Sequence, residues 1–352
     1  MTSANDAIQA FLDAAVQAGN ELGVQCAVWQ DGRTVVECAA GWADAAATRP
    51  VDGATLFPVF STGKALLSAL ALNLLSQNKL ELNAPLCRYW PEFTGDRREQ
   101  ATVAHVLTHT TGLFCMPHAA TPDELADWNL MCSRLAAMRP AWAPGTRTKY
   151  QALNYSWLLG EPIRRATGKS LREALRDELL APLGLEEECV FGLTAAQEAR
   201  TAELIRTPDL MPPLPPKPTF LNPTENLLRE KVLREATLPA FNGFATARGL
   251  CRFGAALLND DSPYLPKALL QEAATSHRPD PLPQRVGYWE RFGYGFLLYD
   301  APAGLHLFGH GGYGGAELLL CPERHLCYAL VRNRLSDDRR THDFIRKTLE
   351  LQ

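Results

Sequence analysis

Ser61 and Lys64 stand three residues apart at the head of a long apolar run, residues 65–75. On a helix this spacing puts both side chains on one face, a nucleophile beside a proton acceptor, which suits acyl transfer through a covalent acyl-serine. A second tetrad, Ser76-Gln77-Asn78-Lys79, has the same pattern, so the pattern alone does not choose between them. Position does. Ser61 lies where the apolar helix begins, with open backbone N–H donors and the positive dipole end; Ser76 lies where that helix gives way to polar residues and the dipole is reversed. Ser61 is the candidate nucleophile, and Ser76 reads as a surface residue.

A serine hydroxyl also needs a base, a group that passes the proton on, and donors for the developing oxyanion. Lys64 can be the base if desolvation discharges its ammonium, and the apolar residues after it argue against a helix-surface lysine. Two further stretches could supply the rest. Pro144-Gly145 leads to Tyr150 and then to an apolar helix, and residues 308–315, Phe-Gly-His-Gly-Gly-Tyr-Gly-Gly, form a strand edge where backbone can approach a ligand closely. Each has a plain alternative when taken alone: Tyr150 as a half-buried aromatic with a bonded hydroxyl, and the glycines as a tight turn between strands.

The elements that must hold these groups are strands near both termini and helices between them. Residues 24–29 and 34–39, joined through Asp31-Gly32, read as a hairpin, and 305–308, 316–320 and 326–331 as three more strands. Ile8, Phe11, Leu12, Ala15 and Val16 fall at helical spacing, residues 341–351 close the chain as a helix, and 65–259 is mostly helical. The expected fold is α+β: an antiparallel sheet made from both ends of the chain, flanked by terminal helices, with an all-helical region inserted. Residues 1–64 with 285–352 would form the sheet domain and 65–284 the mainly helical one, with the active site between them. Seven prolines crowd 208–223, a loop that is either a passive surface excursion or a wall over the substrate pocket.

Composition narrows the function further. Of 352 residues, 46% are hydrophobic and 21% charged, and the net charge of −4 comes without a basic run, which gives nucleic-acid or anionic-membrane binding no support. No segment stays apolar for the roughly 18 residues a membrane span needs. Nine scattered cysteines, an odd number with no Cys-x-x-Cys pair, together with an N-terminus that lacks a leader pattern, favour the cytoplasm. His105 and His109 lack the glutamate of a His-Glu-x-x-His metal site, and no phosphate loop or dinucleotide fingerprint occurs, so neither metal nor cofactor is expected. Val59 occupies the first glycine position of a nucleophile elbow, which removes that architecture.

In order and spacing, Ser61-x-x-Lys64, Tyr150 and His310-Gly311-Gly312 resemble the penicillin-recognising serine hydrolases, specifically the class C β-lactamase-like branch with its family VIII carboxylesterases. Supporting runs spread the resemblance over most of the chain: residues 107–113, 82–85 with 90–93, 182–185, and Asn242-Gly243 ahead of Thr246-Ala247-Arg248. The resemblance implies a β-lactamase/transpeptidase-like fold, Ser61 as nucleophile, Lys64 as base or relay, and Tyr150 sharing protons with Lys64 and the leaving group. It also implies an oxyanion hole from the N–H groups of Ser61 and Tyr313. Gln151-Ala152 and His310-Gly311-Gly312 depart from the β-lactamase pattern, which carries an asparagine after the tyrosine and Lys-Thr-Gly on the strand. The amide that holds a β-lactam and the cation that engages its carboxylate are therefore missing. His310 is left with three readings: a donor to the ester, a group that tunes Tyr150, or a structural histidine. The expected activity is a carboxylesterase-like serine hydrolase (EC 3.1.1) acting on small esters, and more weakly on amides or β-lactams. An acyltransferase using the same acyl-serine, or a non-catalytic recognition protein, are the alternatives.

Overall fold

The computed structural model describes residues 3–119, 121–207, 227–259, 262, 264–281 and 291–352; the proline-rich stretch 208–223 lies outside them. In chain order the strands are β1 (Gly23–Gln30), β2 (Arg33–Gly41), β3 (Phe57–Pro58), β4 (Cys189–Phe191), β5 (Ile205–Arg206), β6 (Gly243–Ala245), β7 (Leu297–Tyr299), β8 (Leu307–Gly311), β9 (Glu317–Cys321), β10 (Leu326–Arg332) and β11 (Arg334–Leu335). Six of them form one antiparallel sheet in the order β2-β1-β10-β9-β8-β7, so that both ends of the chain meet where β1 pairs with β10. Asp31 and Gly32 both take positive φ at the β1–β2 turn, the conformation that an Asp-Gly hairpin needs.

The inner strands β9 and β10 are buried on both faces, which is why Leu318-Leu319-Leu320 and Leu326–Arg332 read as nearly unbroken apolar runs. On one face Val24, Cys26, Val28, Leu319 and Leu330 pack against Ile8 and Leu12 of the helix Ala4–Gln17 and Ile345 of the helix Arg340–Thr348. The two terminal helices also meet each other, with Phe11 stacked on Phe344 at 4.0 Å. On the other face Ala27, Leu318, Cys327 and Ala329 belong to the main core, with the helices Gly63–Ser76 and Ala247–Leu258. Every residue from Gly63 to Leu74 is buried; a helix that is apolar all round can only be an interior one. No helix among the described residues is long and apolar enough to cross a membrane.

Four details differ from the sequence expectation. The α-helix starts at Gly63, and Ser61 sits in a separate 3-10 turn, Phe60–Thr62, because Phe60 takes φ +44° and breaks the helical run. Residues 297–299 add a sixth strand at the sheet edge. A small antiparallel sheet, β3-β6-β4, draws two of its strands, β4 and β6, from the stretch read as helical, each too short for a period to show. Finally, the helix Ala247–Leu258, assigned by sequence to the inserted region, lies on the large sheet, where Gly254 and Cys251 approach Cys327. Its strong amphipathic pattern identifies it as a surface-covering helix but not which surface it covers.

Candidate active site

Lys64 is fully buried, and its Nζ has three partners: Ser61 Oγ at 3.0 Å, the Ala152 carbonyl at 2.8 Å and the Ala240 carbonyl at 2.7 Å. No carboxylate is among them, and desolvation holds the ammonium well below the ordinary lysine range. As an ammonium, Nζ donates to all three, and the Ser61 hydroxyl reaches the Ala240 carbonyl at 3.4 Å; once discharged, an –NH2 that keeps its two hydrogens on the carbonyls can turn its lone pair to Ser61. The sequence places Ser61 and Lys64 on one helical face, and the structure brings them to hydrogen-bond distance across the junction of the 3-10 turn and the α-helix.

That junction is held under strain and tightly packed. A phenylalanine in the left-handed region costs of order 1–3 kcal/mol, which the surrounding contacts must offset. Phe60 is buried and meets the Tyr313 ring edge-on at 5.4 Å. A Cβ at Gly312 would lie 2.2 Å from the Val59 carbonyl, so the strand end carrying residues 311–313 can close on the serine turn only with glycine there.

Tyr150 is placed by its rings. It stacks on Phe292 at 5.7 Å and 2°, packs against His109 at 5.0 Å, and lies with its ring centroid 4.9 Å from Lys64 Nζ. His109 supports this segment through its backbone carbonyl, which accepts from Lys149 N–H, and its Nδ1, which accepts from Gln151 N–H. The Gln151 side chain is buried and donates to Thr111 Oγ1, so its amide is engaged within the protein.

His310 is fully buried on β8. Its Nδ1 lies 2.7 Å from the Gly311 carbonyl and must therefore carry the hydrogen, while Nε2 has no hydrogen-bond partner among the described residues. Burial above all pushes this imidazole down to about 3, so it is neutral. Of the three readings open in the sequence, donation to an ester loses its hydrogen to Gly311; what His310 offers is an acceptor, with its ring 6.3 Å from that of Tyr150. Gly311 ends β8 opposite Glu317, and Gly312 N–H closes the turn onto the Ala316 carbonyl at 2.7 Å.

Sequence reasoning missed the groups that hold Lys64. The Ala152 and Ala240 carbonyls are backbone atoms and have no residue signature. Ala240 is itself fixed: its N–H donates to Ser156 Oγ at 2.8 Å, and buried Asn242 bonds the Leu233 and Ala236 carbonyls and the Leu238 N–H. Asn242 was visible as part of a motif, and its role as the clamp of this loop needed the fold. Among the described residues no group of His, Cys, Asp or Glu is arranged to hold a metal ion.

The sequence model of the Beta-lactamase family matches residues 8–351. The esterase/beta-lactamase LipL of Mycobacterium tuberculosis is 31% identical over 337 residues, 88% of this chain and 76% of that protein. Among solved structures, a family VIII carboxylesterase superposes with a TM-score of 0.85 at 24% identity, covering 99% of this chain and 97% of that one. A penicillin-binding protein homologue from Caulobacter crescentus gives a TM-score of 0.81 at 28% identity, covering 98% and 96%. The β-lactamase/transpeptidase-like fold expected from the motifs is the fold observed, and the chain belongs to the Beta-lactamase family.

Proposed function

We propose that the protein is a carboxylesterase-like serine hydrolase that works through an acyl-Ser61 intermediate on small, largely uncharged esters. The observation that carries this reading is the Lys64 environment: a buried amine held by two backbone carbonyls, with no carboxylate beside it and 3.0 Å from the Ser61 hydroxyl. The name of the mycobacterial relative, an esterase/beta-lactamase, supports the same class.

Ser61 Oγ attacks the ester carbonyl carbon and passes its proton to Lys64 Nζ. The carbonyl oxygen, now anionic, is held by the N–H groups of Ser61 and Tyr313, each donor worth roughly 3 kcal/mol at the transition state. Collapse expels the alkoxide, which takes a proton from the Tyr150 hydroxyl, and Tyr150 is reprotonated from Lys64. Water then attacks the acyl-serine by the same steps in reverse, giving the acid and free Ser61. Substrates bearing a carboxylate beside the scissile bond are disfavoured, because His310 presents a neutral acceptor where a cation would be needed. We place the active site between the sheet and the inserted helices, and the protein in the cytoplasm on its nine free cysteines.

The test is Ser61→Ala: hydrolysis of short p-nitrophenyl esters is lost while the circular dichroism spectrum stays unchanged, and intact mass shows an acyl adduct on the wild type alone. Equal rates for the two proteins would remove the reading. Transfer products dominating over free acid when alcohols compete with water would replace hydrolase by acyltransferase.

A further inference from the structure

The turn that carries Tyr313 is gripped from behind by buried polar side chains that take no part in the chemistry above. Residues 312–315 connect β8 to β9, and each carbonyl of Gly312, Gly314 and Gly315 is engaged. Gly312 O accepts from Gly315 N–H at 3.1 Å, Gly314 O from Arg332 Nε at 2.9 Å, and Gly315 O from His342 Nε2 at 3.0 Å. Arg332 is 2% exposed and His342 fully buried. The Arg332 guanidinium makes four bonds: besides Gly314 it reaches the Glu21 carboxylate at 2.9 Å and the carbonyls of Ser336 and Asp338 at 2.7 and 3.1 Å. Glu21 is in turn bonded by Thr341 at 2.7 Å, on the helix that bears His342.

Fixing these carbonyls fixes an N–H. In a trans peptide the N–H points opposite to the C=O. Arg332 holds the Gly314 carbonyl and so aims the Gly315 N–H of that peptide at the Gly312 carbonyl; the Gly312 carbonyl is thereby turned inward, and the Tyr313 N–H of its peptide faces out of the turn. Besides its own bonds, from Gly312 N–H to Ala316 O and from Gly315 N–H to Gly312 O, the turn is soft: Gly314 and Gly315 take φ +80° and +109°, and a Cβ at Gly315 would sit 2.3 Å from Arg332 Nε. A buried arginine–glutamate pair is seldom the most stable way to fill a core, so its presence here asks for a reason beyond stability.

We propose that Arg332 and His342 are positioning residues for the oxyanion hole, holding the 312–315 turn so that the Tyr313 N–H meets the developing oxyanion. This rests on the reading of Ser61 and Tyr313 as its donors. His342 suits the task as a neutral group. Its Nε2 must carry the hydrogen it gives to Gly315, and burial first of all pushes the imidazole down to about 3. Arg332 suits it as a planar fork that reaches three carbonyls and a carboxylate at once.

The experiment compares His342→Leu, His342→Gln and the neutral double variant Glu21→Gln/Arg332→Met with the wild type. The measurements are kcat and KM on a p-nitrophenyl ester per site labelled at completion by a fluorophosphonate, and inhibition by a trifluoromethyl ketone that mimics the oxyanion. His342→Leu and the double variant are expected to lose about 10-fold in kcat with KM nearly unchanged, the scale on which a misplaced group far from the reacting atoms is felt. The ketone should weaken by the same factor. His342→Gln, whose amide N–H reaches the Nε2 position, is expected to recover most of the loss. Wild-type kcat and ketone affinity in the first two variants would overturn the proposal, as would losses that vanish per labelled site, because those report unfolding alone. Ser61→Ala run alongside separates the two levels: undiminished hydrolysis there overturns the reading of the site itself, whereas its loss leaves the variants to decide on the turn.

Discussion

The same tetrad flanks the helix Gly63–Ser76 at both ends, and the two ends behave as different chemical materials. At the first, Lys64 is sealed from water among neutral acceptors and faces Ser61 Oγ at 3.0 Å. At the second, the Lys79 side chain is 41% exposed and pairs with Glu178 at 3.0 Å, while exposed Ser76 donates to the Asn73 carbonyl one turn back. Spacing is identical. What differs is the dielectric and the partner, and those decide whether a lysine is a solvated cation or a base. For Lys64, burial with no carboxylate in reach favours the neutral amine.

The sharpest way to break this contrast is to remove the amine. Lys64→Met fills similar volume, and the loss of a positioned base lowers kcat by about 10³-fold. Lys64→Arg should fare no better, because a guanidinium stays charged in any protein site. Steady-state rates on a p-nitrophenyl ester, with thermal unfolding as a control, decide it. A Lys64→Met protein that folds and retains a tenth of wild-type kcat would deny Lys64 the role of base.

A second test gives Lys64 what Lys79 already has. The base must be unprotonated, so kcat/KM rises with pH through the Lys64 pKa, which burial holds well below the usual lysine range, and then levels off. Neither nearby histidine adds a step between pH 5 and 8: burial above all pushes His310 to about 3 and His109 well below its ordinary value. His310→Glu would put a carboxylate beside the amine, stabilise the ammonium and move the limb upward. An upward shift of about one unit is the low end for a close opposite charge, and at a fixed pH below the limb it means roughly 10-fold less activity. A limb that stays in place would show that the solvent-free setting, and not the missing counter-charge, controls Lys64.

The same contrast explains what could be read in the sequence. Ser61, Lys64, Tyr150 and His310 to Tyr313 carry side-chain chemistry or glycine patterns, and the strands at both termini alternate or run apolar over five residues or more. The acceptors at Ala152 and Ala240 are peptide carbonyls that any residue would supply, so composition is silent on them. Nothing in Phe60 announces a left-handed backbone. Glu21 and Arg332 are 311 positions apart and become neighbours only when β1 pairs with β10. Strands of two or three residues such as β3 and β6 fall below the length at which periodicity has meaning.

A smaller effect is expected one step from Lys64. Asn242→Ala strips three hydrogen bonds from a buried loop, and the stranded backbone groups cost about 3 kcal/mol of stability. The Ala240 carbonyl then loses its fixed place, and with it one of the two hydrogens' acceptors on Lys64. We expect kcat to fall about 3-fold in the folded protein at 20 °C, a fraction of what a group touching the reacting atoms would cost. Denaturant unfolding and rates per labelled site separate the two losses, and an unchanged kcat would mean that the Ala152 carbonyl alone suffices to orient the amine.

The smallest effect belongs to the far end of the helix. Ser76→Ala and Lys79→Met remove the second tetrad, and both should leave kcat and KM unchanged. Lys79→Met breaks an ion pair whose lysine is 41% exposed, which is worth about 0.5 kcal/mol at most and less at high salt. The paired Ser61→Ala and Ser76→Ala proteins, treated with the same fluorophosphonate and read by intact mass, make the comparison direct. Label should persist on Ser76→Ala and disappear from Ser61→Ala. Label lost from both would mean that the helix transmits changes along its length, and that its buried, close-packed interior couples the two ends more strongly than their separate environments imply.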